Sequence, residues 1–424
     1  MKKFLRRTLF YRLYKKSKAI IAKLLNWYTG KWLTVIGVTG TNWKTTTCNI
    51  LHQILNDNLG KTAMISTINV KIWDESIFND TKMTSLVPME LFKYLVLAEQ
   101  EGCEYVVLEV SSHALDQYRF YGIDFDGAIL TNITPEHLDY HRTMKEYANT
   151  KKKLFENVMA NSDGKRLAVL PKDDQYGRKW ADSMIFSNQQ FFGVESSAGI
   201  QANNIQSHKD KMTFDFSYMG KDYELETGML GEFNVYNILA AIAMGVNLQA
   251  PIDGIIDSVQ KVNGLPGRLE YFKKWNINFY LDYAHTQDAL QKVLEYLNTI
   301  KWDSRLILVF GAPGVRDKYK RPKMWKIADD LADVVIVTDD DPDQENHLEI
   351  INQIDEGIER DYADDYWIMP ERYYALKFAV DLANDWDLVV MTGLGHQKCQ
   401  VTNFGKRDWN DKEQILEIMN NDKG

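Results

Sequence analysis

Two hydrophobic patterns alternate along this chain. Short apolar runs such as "WLTVIGVTG", "EYVVLEVSS" and "FDGAILTNI" are typical of buried strands. Between them, "KTTTCNILHQILND" and "MKEYANTKKKLFENV" have apolar residues at helical spacing. Strands that alternate with helices indicate a mostly parallel sheet covered by helices. The pattern therefore predicts an α/β fold.

One segment interrupts this alternation. "MTFDFSYMGKDYELE" predicts a β-hairpin with its turn near residues 219–221. The run Gly264, Pro266 and Gly267 then predicts a linker. After it the alternation restarts in "INFYLDYAH", "RLILVFGAPG", "DVVIVTDDD" and "DLVVMTGLG", with helical stretches between them. We expect a second, Rossmann-like α/β domain in this part of the chain.

Three segments follow from these patterns. They are an N-terminal extension (1–32), a central domain (33–265) and a C-terminal domain (266–424). The length of 424 residues and the hydrophobic content of 45% are sufficient for two cores.

The three cysteines are far apart in sequence and form no CxxC or CxxH pair. They are Cys48, Cys103 and Cys399. This spacing argues against a disulfide framework or a structural zinc site, and it favours the reducing cytoplasm.

The charge is distributed unevenly. The whole chain has a net charge of −9, and residues 1–32 contain ten Lys or Arg and no Asp or Glu. The rest of the chain therefore has a net charge of −19. Leucines and isoleucines recur in this segment at roughly helical spacing. One interpretation is an amphipathic helix on an anionic membrane surface, and the other is a helix packed on its own protein. No apolar run is long enough to span a bilayer.

A phosphate-binding loop is predicted by "GVTGTNWKTTT" at residues 37–47. It lies between a predicted strand and a predicted helix, where Lys44, the helix N-terminus and its amides offer an anion site. Thr45 then occupies the position of a Mg²⁺ ligand. Trp43, however, stands where such loops usually have glycine beside the lysine.

Polar residues follow two further strands. Glu109 ends "EYVVLE", and His137 follows "GAILTNITPE". Because ligands bind beyond the carboxyl ends of the strands in open α/β sheets, both can converge on the phosphate loop and hold a metal.

Taken in order, these motifs resemble the Mur ligase family, in particular its MurE branch, the UDP-N-acetylmuramoyl-tripeptide synthetases. The matching segments are "GVTGTNWKTTT", "LEVSSHAL", "TNITPEHLDYHRTMKEYANTK", "GEFNVYNILAA", "LPGRLE", "LDYAHTQDAL", "RDKYKRPKM" and "GLGH". They extend from about residue 33 to the C-terminus. The resemblance implies an ATP-dependent ligase of peptidoglycan precursor synthesis, in which an acceptor carboxylate forms an acyl phosphate and an amino acid's amine displaces the phosphate.

The resemblance also implies roles for individual residues. Lys44, Lys151 and His137 are expected to be catalytic, and Lys151 is expected to be carbamylated. Mg²⁺ is expected on Thr45, Glu109, His137 and Lys151. The implied ATP contacts are Gly40, Thr41, Asn42, Lys44, Thr45, Thr46, Asn234, Asn237, Arg268, Asp282 and His285, the last three from the C-terminal domain. The implied contacts with the muramoyl peptide and the amino acid are Ser111, Gln117, Arg119, Arg316, Asp341, Asp343 and Gln397.

Two departures from the family pattern bear on the substrates. The phosphate loop begins at Gly37, which leaves no room before it for the uridine-binding domain of MurE proteins, so a lipid-linked muropeptide is an alternative acceptor. The family's DNPR loop of diaminopimelate-adding enzymes reads Asp340-Asp341-Pro342-Asp343 here. An anion in place of the arginine disfavours a distal carboxylate and favours lysine or ornithine. The alternative is that these residues form an acidic surface loop.

Trp43 leaves two structural alternatives. A positive φ there would cost about 1–2 kcal/mol, whereas in the first helical turn the ring could point away without strain. Two functional alternatives also remain, namely a catalytically silent scaffold of the family and a ligase for a non-muramoyl acceptor, similar to folylpolyglutamate synthetase. No nucleic-acid partner is expected.

Overall fold

The structure is a computed structural model that describes residues 9–30, 32–79, 81, 83–162, 164–314, 318, 321–355 and 365–421. The chain divides into two compact units. The first comprises Met1–Ile205, Phe214–Leu225 and Asn234–Val262, and the second Gln206–Thr213, Glu226–Phe233 and Asn263–Gly424.

The N-terminal part of the chain alternates strands and helices as the hydrophobic pattern predicts. Its helices are α1 (Leu9–Leu25), α2 (Lys44–Asn58), α3 (Pro88–Gln100), α4 (Ser112–Asp116), α5 (Leu138–His141), α6 (Met144–Ala160), α7 (Gln175–Ser183), α8 (Glu232–Asn247) and α9 (Ile252–Gln260). Its strands are β1 (Thr34–Thr39), β2 (Thr62–Ile65), β3 (Asn69–Ile72), β4 (Glu75–Phe78), β5 (Tyr105–Glu109), β6 (Gly127–Leu130), β7 (Leu167–Pro171), β8 (Asn188–Gly193), β9 (Ile200–Ser207), β10 (Met212–Tyr218) and β11 (Lys221–Thr227).

These strands form one sheet in the order β11-β10-β9-β8-β7-β6-β1-β5-β2-β3-β4. Strands β2, β5, β1, β6, β7, β8 and β9 pair in parallel, and β3 and β4 pair antiparallel at one edge. The central strand β1 is almost entirely buried because helices cover it. Its neighbours are β5, which ends at Glu109, and β6, which His137 follows in the chain.

The predicted hairpin is confirmed. Strands β10 and β11 are neighbours in the sheet, and only Met219 and Gly220 separate them. Both residues have positive φ, 50° and 76°. This is the backbone that two-residue hairpin turns of type I′ require.

The remainder of the chain forms a second α/β sheet. Its strands are β12 (Arg268–Lys274), β13 (Ile277–Asp282), β14 (Leu306–Phe310), β15 (Val334–Val337), β16 (Tyr366–Ile368) and β17 (Leu388–Thr392), in the order β12-β13-β17-β14-β15-β16. Its helices are α10 (Gln287–Lys301), α11 (Arg321–Leu331), α12 (His347–Asp355), α13 (Arg372–Leu382) and α14 (Asp411–Asn421), and a separate hairpin contains β18 (Cys399–Thr402) and β19 (Gly405–Asp408).

Only the edge strand β12 pairs antiparallel in this six-stranded sheet. A mostly parallel sheet with helices on its faces confirms the predicted α/β class. The three cysteines are free, as their spacing predicts.

Helix α1 packs on its own unit through Ala19 and Ala22, which are buried in the same core as Phe92 of α3. No helix in the described part of the chain combines the length and the apolarity that a membrane span needs.

Candidate active site

The candidate site begins where three parallel strands end together. The register places Val38 of β1 beside Glu109 of β5, and Thr39 of β1 beside Leu130 of β6. The loop that follows β1 therefore lies between the residues that follow β5 and β6. This is the edge at which open α/β sheets bind ligands.

The phosphate loop is fixed to the segment after β6. A Cβ atom on Gly40 would collide with the hydroxyl of Thr131, so the close approach of the two loops requires glycine. The amide of Thr41 donates to Asn132 O (2.9 Å) and to Asn132 Oδ1 (3.1 Å), and the amide of Asn42 donates to the same Oδ1 (3.0 Å). These two amides hold the loop in shape. The amides of the first turn of α2, from Lys44 to Thr46, lie at the helix N-terminus, where no intrahelical acceptor exists.

Trp43 adopts the strained alternative. It is the N-cap residue of α2, with φ 65° and ψ 8° in the left-handed region. This conformation costs an L-residue about 1–2 kcal/mol relative to glycine. The helix nevertheless begins at Lys44, so the substitution leaves the strand, loop and helix geometry in place.

Thr45 and Glu109 meet at the centre of this edge. The Thr45 hydroxyl lies 3.0 and 2.9 Å from the two carboxylate oxygens of Glu109. Glu109 Oε2 also accepts a hydrogen bond from the Thr67 amide at 2.7 Å, and its side chain is buried. A buried carboxylate beside a hydroxyl supplies the oxygen ligands that Mg²⁺ binds, so these residues fit the predicted ion.

Lys151 reaches the phosphate loop from α6. Its side chain is 1% exposed, and Nζ donates to Gly40 O at 2.6 Å. Nζ also lies 4.6 Å from the centre of the Tyr147 ring. Burial, and secondarily the charge of Lys44, hold the pKa of Lys151 well below its usual range. The same environment favours the neutral amine.

His137 also lies near Tyr147. It caps α5 with φ 56°, and the centre of its ring is 6.3 Å from that of Tyr147 and 4.6 Å from that of His113. Tyr147 in turn hydrogen-bonds through its hydroxyl to Thr41 Oγ1 at 3.2 Å. The fold thus brings His137 and Lys151 to the same tyrosine beside the loop.

Within the described ranges, no three His, Cys, Asp or Glu side chains are grouped closely enough to hold a metal ion. The predicted Mg²⁺ ligands include a hydroxyl and a modified lysine, which are not of these four types. The complete ligand set stays a prediction.

Two buried asparagines of α8 lie against α2. Asn237 Nδ2 donates to Asn234 Oδ1 at 2.9 Å, and Asn237 Oδ1 is 3.3 Å from Thr47 Oγ1. Both side chains are almost fully buried. Asn237 therefore contacts α2 three residues from Lys44 and two from Thr45, and the nucleotide contacts predicted for both asparagines stay a prediction.

Two of the three acceptor residues predicted after β5, Ser111 and Arg119, share one partner, Ser85. Its hydroxyl donates to Glu109 O (2.9 Å) and hydrogen-bonds with Ser111 Oγ (3.1 Å), and its carbonyl accepts from Arg119 Nη1. Arg119 also donates to Gln117 Oε1 through Nη2 at 2.9 Å. Ser85 therefore connects the metal-ligand candidate with the candidate acceptor residues.

In the second unit, Asp282 ends β13 and is buried. It accepts a hydrogen bond from the Leu269 amide at 2.7 Å, and burial raises its pKa to about 6, against the lowering effect of Arg268. Arg268 packs over the ring of Tyr283, whose carbonyl lies 2.9 Å from His285 Nδ1. Their predicted part in ATP binding stays a prediction.

The acidic loop after β15 is anchored to β18. Asp341 Oδ1 accepts from the Val401 amide at 2.7 Å, and the Asp343 amide donates back to Val401 O at 3.0 Å. Asp343 has φ 53°. The backbone amide of Gln397 donates a hydrogen bond to Leu394 O. These hydrogen bonds anchor the loop, and the predicted contacts of Asp341, Asp343 and Gln397 with the substrates stay a prediction. Arg316 lies outside the described residues.

Sequence reasoning missed four residues of this site, namely Thr67, Ser85, Asn132 and Tyr147. Asn132 and Tyr147 fall within "TNITPEHLDYHRTMKEYANTK", and a polar residue directly after a strand is the signal that could have identified Asn132. Thr67 acts through its backbone and Ser85 through a distant contact, so the local sequence contains no signal for either.

A phosphate loop, a hydroxyl–carboxylate pair beside it and a second α/β unit define the class of ATP-dependent acid–amino-acid ligases. The model of the Mur ligase middle domain matches residues 38–245, and that of the Mur ligase glutamate ligase domain matches residues 267–395. The chain belongs to the Mur ligase family and is a MurE-like ligase.

Individual relatives agree with this assignment. The chain is 37% identical over 405 residues to the UDP-N-acetylmuramoyl-L-alanyl-D-glutamate–2,6-diaminopimelate ligase of Listeria monocytogenes serotype 4b (strain F2365), which covers 93% of this chain and 81% of that protein. It is 36% identical to UDP-N-acetylmuramyl-tripeptide synthetase 2 of Oceanobacillus iheyensis, and the alignment covers 92% of this chain and 78% of that protein. A solved structure of a diaminopimelate ligase of this type superposes with a TM-score of 0.66 at 28% identity, covering 98% of this chain and 83% of that one.

Proposed function

We propose that this ligase joins a diamino acid to the carboxylate of a muramoyl peptide. In the proposed reaction the acceptor carboxylate takes the γ-phosphoryl group of ATP and releases ADP, and the amine then displaces phosphate to form the amide. The observation that carries this proposal is the contact of Thr45 with Glu109 beside a phosphate loop that Lys151 also reaches.

The residues present suit this chemistry. Lys44 and the amides at the N-terminus of α2 would bind the ATP phosphates. Thr45, Glu109, His137 and Lys151 would hold Mg²⁺, which supplies positive charge to the transferring phosphoryl group. The main contribution of the protein is therefore positioning and charge neutralisation.

Burial prepares Lys151 for the proposed carbamylation. A carbamate forms when a neutral amine attacks CO₂ and loses a proton, so a lowered pKa favours the reactive form. The product is an anion, which suits the position close to Lys44 and to a bound cation. A ¹³C carbamate resonance in protein supplied with ¹³C-bicarbonate, lost in Lys151→Met, is the direct test.

For the incoming amino acid we propose lysine or ornithine over diaminopimelate. The reason is the negative charge of Asp343 in the loop that Val401 anchors. The relatives named above include diaminopimelate ligases, so overall similarity does not favour lysine or ornithine. The proposed preference therefore depends on the charge of Asp343 alone.

The amino-acid preference has a specific test. We expect Asp343→Arg to shift the ratio of kcat/KM for diaminopimelate over lysine upward by at least tenfold, since it exchanges repulsion of a carboxylate for attraction. Asp343→Asn is the matched control, with a smaller shift in the same direction. An unchanged ratio in both variants would contradict a role for Asp343 in selection.

The whole proposal is tested by ADP release. Purified protein is supplied with Mg-ATP, bicarbonate, UDP-MurNAc-dipeptide or its lipid-linked equivalent, and each amino acid in turn. Turnover that depends on the amino acid supports the proposal and identifies the acceptor. Binding of ATP without turnover on any acceptor would instead favour a catalytically silent scaffold, and turnover on a non-muramoyl acceptor would favour the other alternative.

A further inference from the structure

Helix α1 has an apolar face that points away from the protein. Seven large side chains on it are at least 43% exposed, namely Phe10, Leu13, Tyr14, Ile20, Ile21, Leu24 and Leu25. At 3.6 residues per turn they occupy one arc of about 140°. Ser17 is the one polar residue of α1 within this arc. An apolar stripe of this width normally faces a partner or a membrane and not water.

The orientation of this face is fixed by contacts on the opposite side of α1. Ala19 and Ala22 are buried against the first unit. Lys23 Nζ donates to Gly122 O at 2.8 Å, and Lys16 Nζ lies 5.1 Å from the ring centre of Tyr118 and 4.7 Å from that of Tyr121. The small and basic side therefore packs on the protein, which leaves the large apolar side facing outward.

The charge around this face identifies its partner. The first 32 residues contain ten basic and no acidic residues, whereas the rest of the chain is strongly acidic. Arg12 and Lys18 are exposed on α1, and the indoles of Trp27 and Trp32 beyond it are 86% and 80% exposed. Apolar residues with interfacial tryptophans and flanking cations match an anionic lipid surface, because the acyl boundary takes the apolar face and the headgroups attract the cations.

We propose that α1 lies in the plane of an anionic membrane surface, with its exposed apolar face in the headgroup–acyl boundary. The partner is a lipid bilayer rather than a protein or a second copy of the chain. An acidic second copy would offer matching charge, but outside α1 the neighbouring exposed apolar side chains of the described residues, such as Trp73, Ile77 and Phe78, are only 37–41% exposed.

This docking would bring the candidate acceptor residues close to the bilayer. Helix α1 contacts Tyr118, Tyr121 and Gly122, which lie next to Gln117 and on either side of Arg119 in the chain. Resting on the proposed function, we infer that the acceptor is a muramoyl peptide attached to a lipid, whose headgroup is presented at the surface on which α1 lies.

Vesicle co-sedimentation tests the docking directly. We expect the full chain to bind vesicles that contain 30% phosphatidylglycerol at least tenfold more tightly than pure phosphatidylcholine vesicles, and to lose affinity as salt is raised. The double substitution Ile21→Glu with Leu24→Glu should reduce binding to anionic vesicles at least tenfold. Ile185→Glu with Met219→Glu, at positions as exposed but away from α1, is the matched control and should bind like the wild type.

The readouts separate docking from folding and from catalysis. Both double variants change exposed side chains only, and an unchanged circular dichroism spectrum and melting temperature would establish that they are folded. Wild-type protein that binds no vesicles, or binds them equally well after the α1 substitutions, would overturn the proposal. So would a dimer in solution that the α1 substitutions abolish. Vesicle binding without any ligase activity would refute only the proposed function.

A last comparison concerns the acceptor. The α1 variant should keep its ADP release with a water-soluble acceptor and lose at least tenfold in kcat/KM with the same acceptor anchored in vesicles. Equal losses on both acceptors would show that α1 supports the fold of the site and does not deliver a lipid-linked substrate.

Discussion

At the scale of single residues, Trp43 is the least expected feature of the chain. It adopts a left-handed backbone that glycine adopts without cost, yet Thr45, Glu109 and Lys151 still meet around the loop as the proposed site requires. The strain is local because helix α2 still begins at the next residue. A ligase can thus retain its loop geometry at a cost of about 1–2 kcal/mol.

This strain can be measured by comparing two substitutions. Both Trp43→Gly and Trp43→Ala remove the ring, but only glycine relieves the positive φ. We expect the glycine variant to have a free energy of unfolding about 1 kcal/mol higher than the alanine variant. Urea unfolding followed by circular dichroism gives both values. Equal stabilities would show that the backbone leaves the left-handed region once the ring is absent.

Asp282 provides a residue-scale prediction about pH. Its pKa is about 6 in the folded chain against 3.8 as the ordinary value, with burial as the main cause. Because the folded-state pKa is the higher one, the stability linked to its protonation is complete below about pH 4 and is lost as the pH rises through about 6. Asp282→Asn keeps an oxygen for the Leu269 amide and removes the titration.

We therefore expect the free energy of unfolding of Asp282→Asn, relative to the wild type, to increase between pH 4 and pH 7. This increase has an upper limit of about 3 kcal/mol, because the pKa of Asp282 rises from 3.8 to about 6 on folding and each pKa unit corresponds to about 1.4 kcal/mol. Urea titrations at intervals of half a pH unit measure the difference. Parallel curves for the two proteins across this range would contradict the raised pKa.

At the scale of secondary structure elements, a buried ion pair joins α13 to α14. Arg372 donates to both carboxylate oxygens of Asp411, at 2.8 and 2.6 Å, and both side chains are essentially inaccessible to solvent. The same guanidinium donates to Thr392 O, at the end of β17, and to Asp339 O, just after β15. One arginine therefore organises two helices and the segments that follow β17 and β15.

Removing one partner of this pair should be costly. We expect Arg372→Met to destabilise the chain by about 3–5 kcal/mol, because Asp411 would remain buried without its cation. Arg372→Met combined with Asp411→Asn should recover part of this loss, since no unpaired charge remains. Thermal unfolding and urea titration give the comparison. A double variant no more stable than Arg372→Met would mean that the contacts to Thr392 and Asp339 dominate.

At the scale of the whole molecule, the sequence predicted the fold class better than it predicted the site. Strand and helix positions follow from local hydrophobic spacing, so β1, β5, β6 and the later α/β region appear where the pattern placed them. The convergence of Glu109 with Thr45 was also predictable, because parallel strands end at a common edge. Ser85 was not, because its partners are 24 to 34 residues away in sequence and no local pattern connects them.

The sequence by itself determined the order of strands and helices, the motifs of a Mur ligase and the charge contrast between the first 32 residues and the rest. These properties depend on residue type and short-range spacing. Tertiary structure alone decided that the backbone of Trp43 is left-handed and that Asn132 accepts hydrogen bonds from the amides of Thr41 and Asn42. It also decided that burial lowers the pKa of Lys151 and which side of α1 faces outward. Each of these depends on atoms brought together from distant parts of the chain, and neither helical period nor composition contains that information.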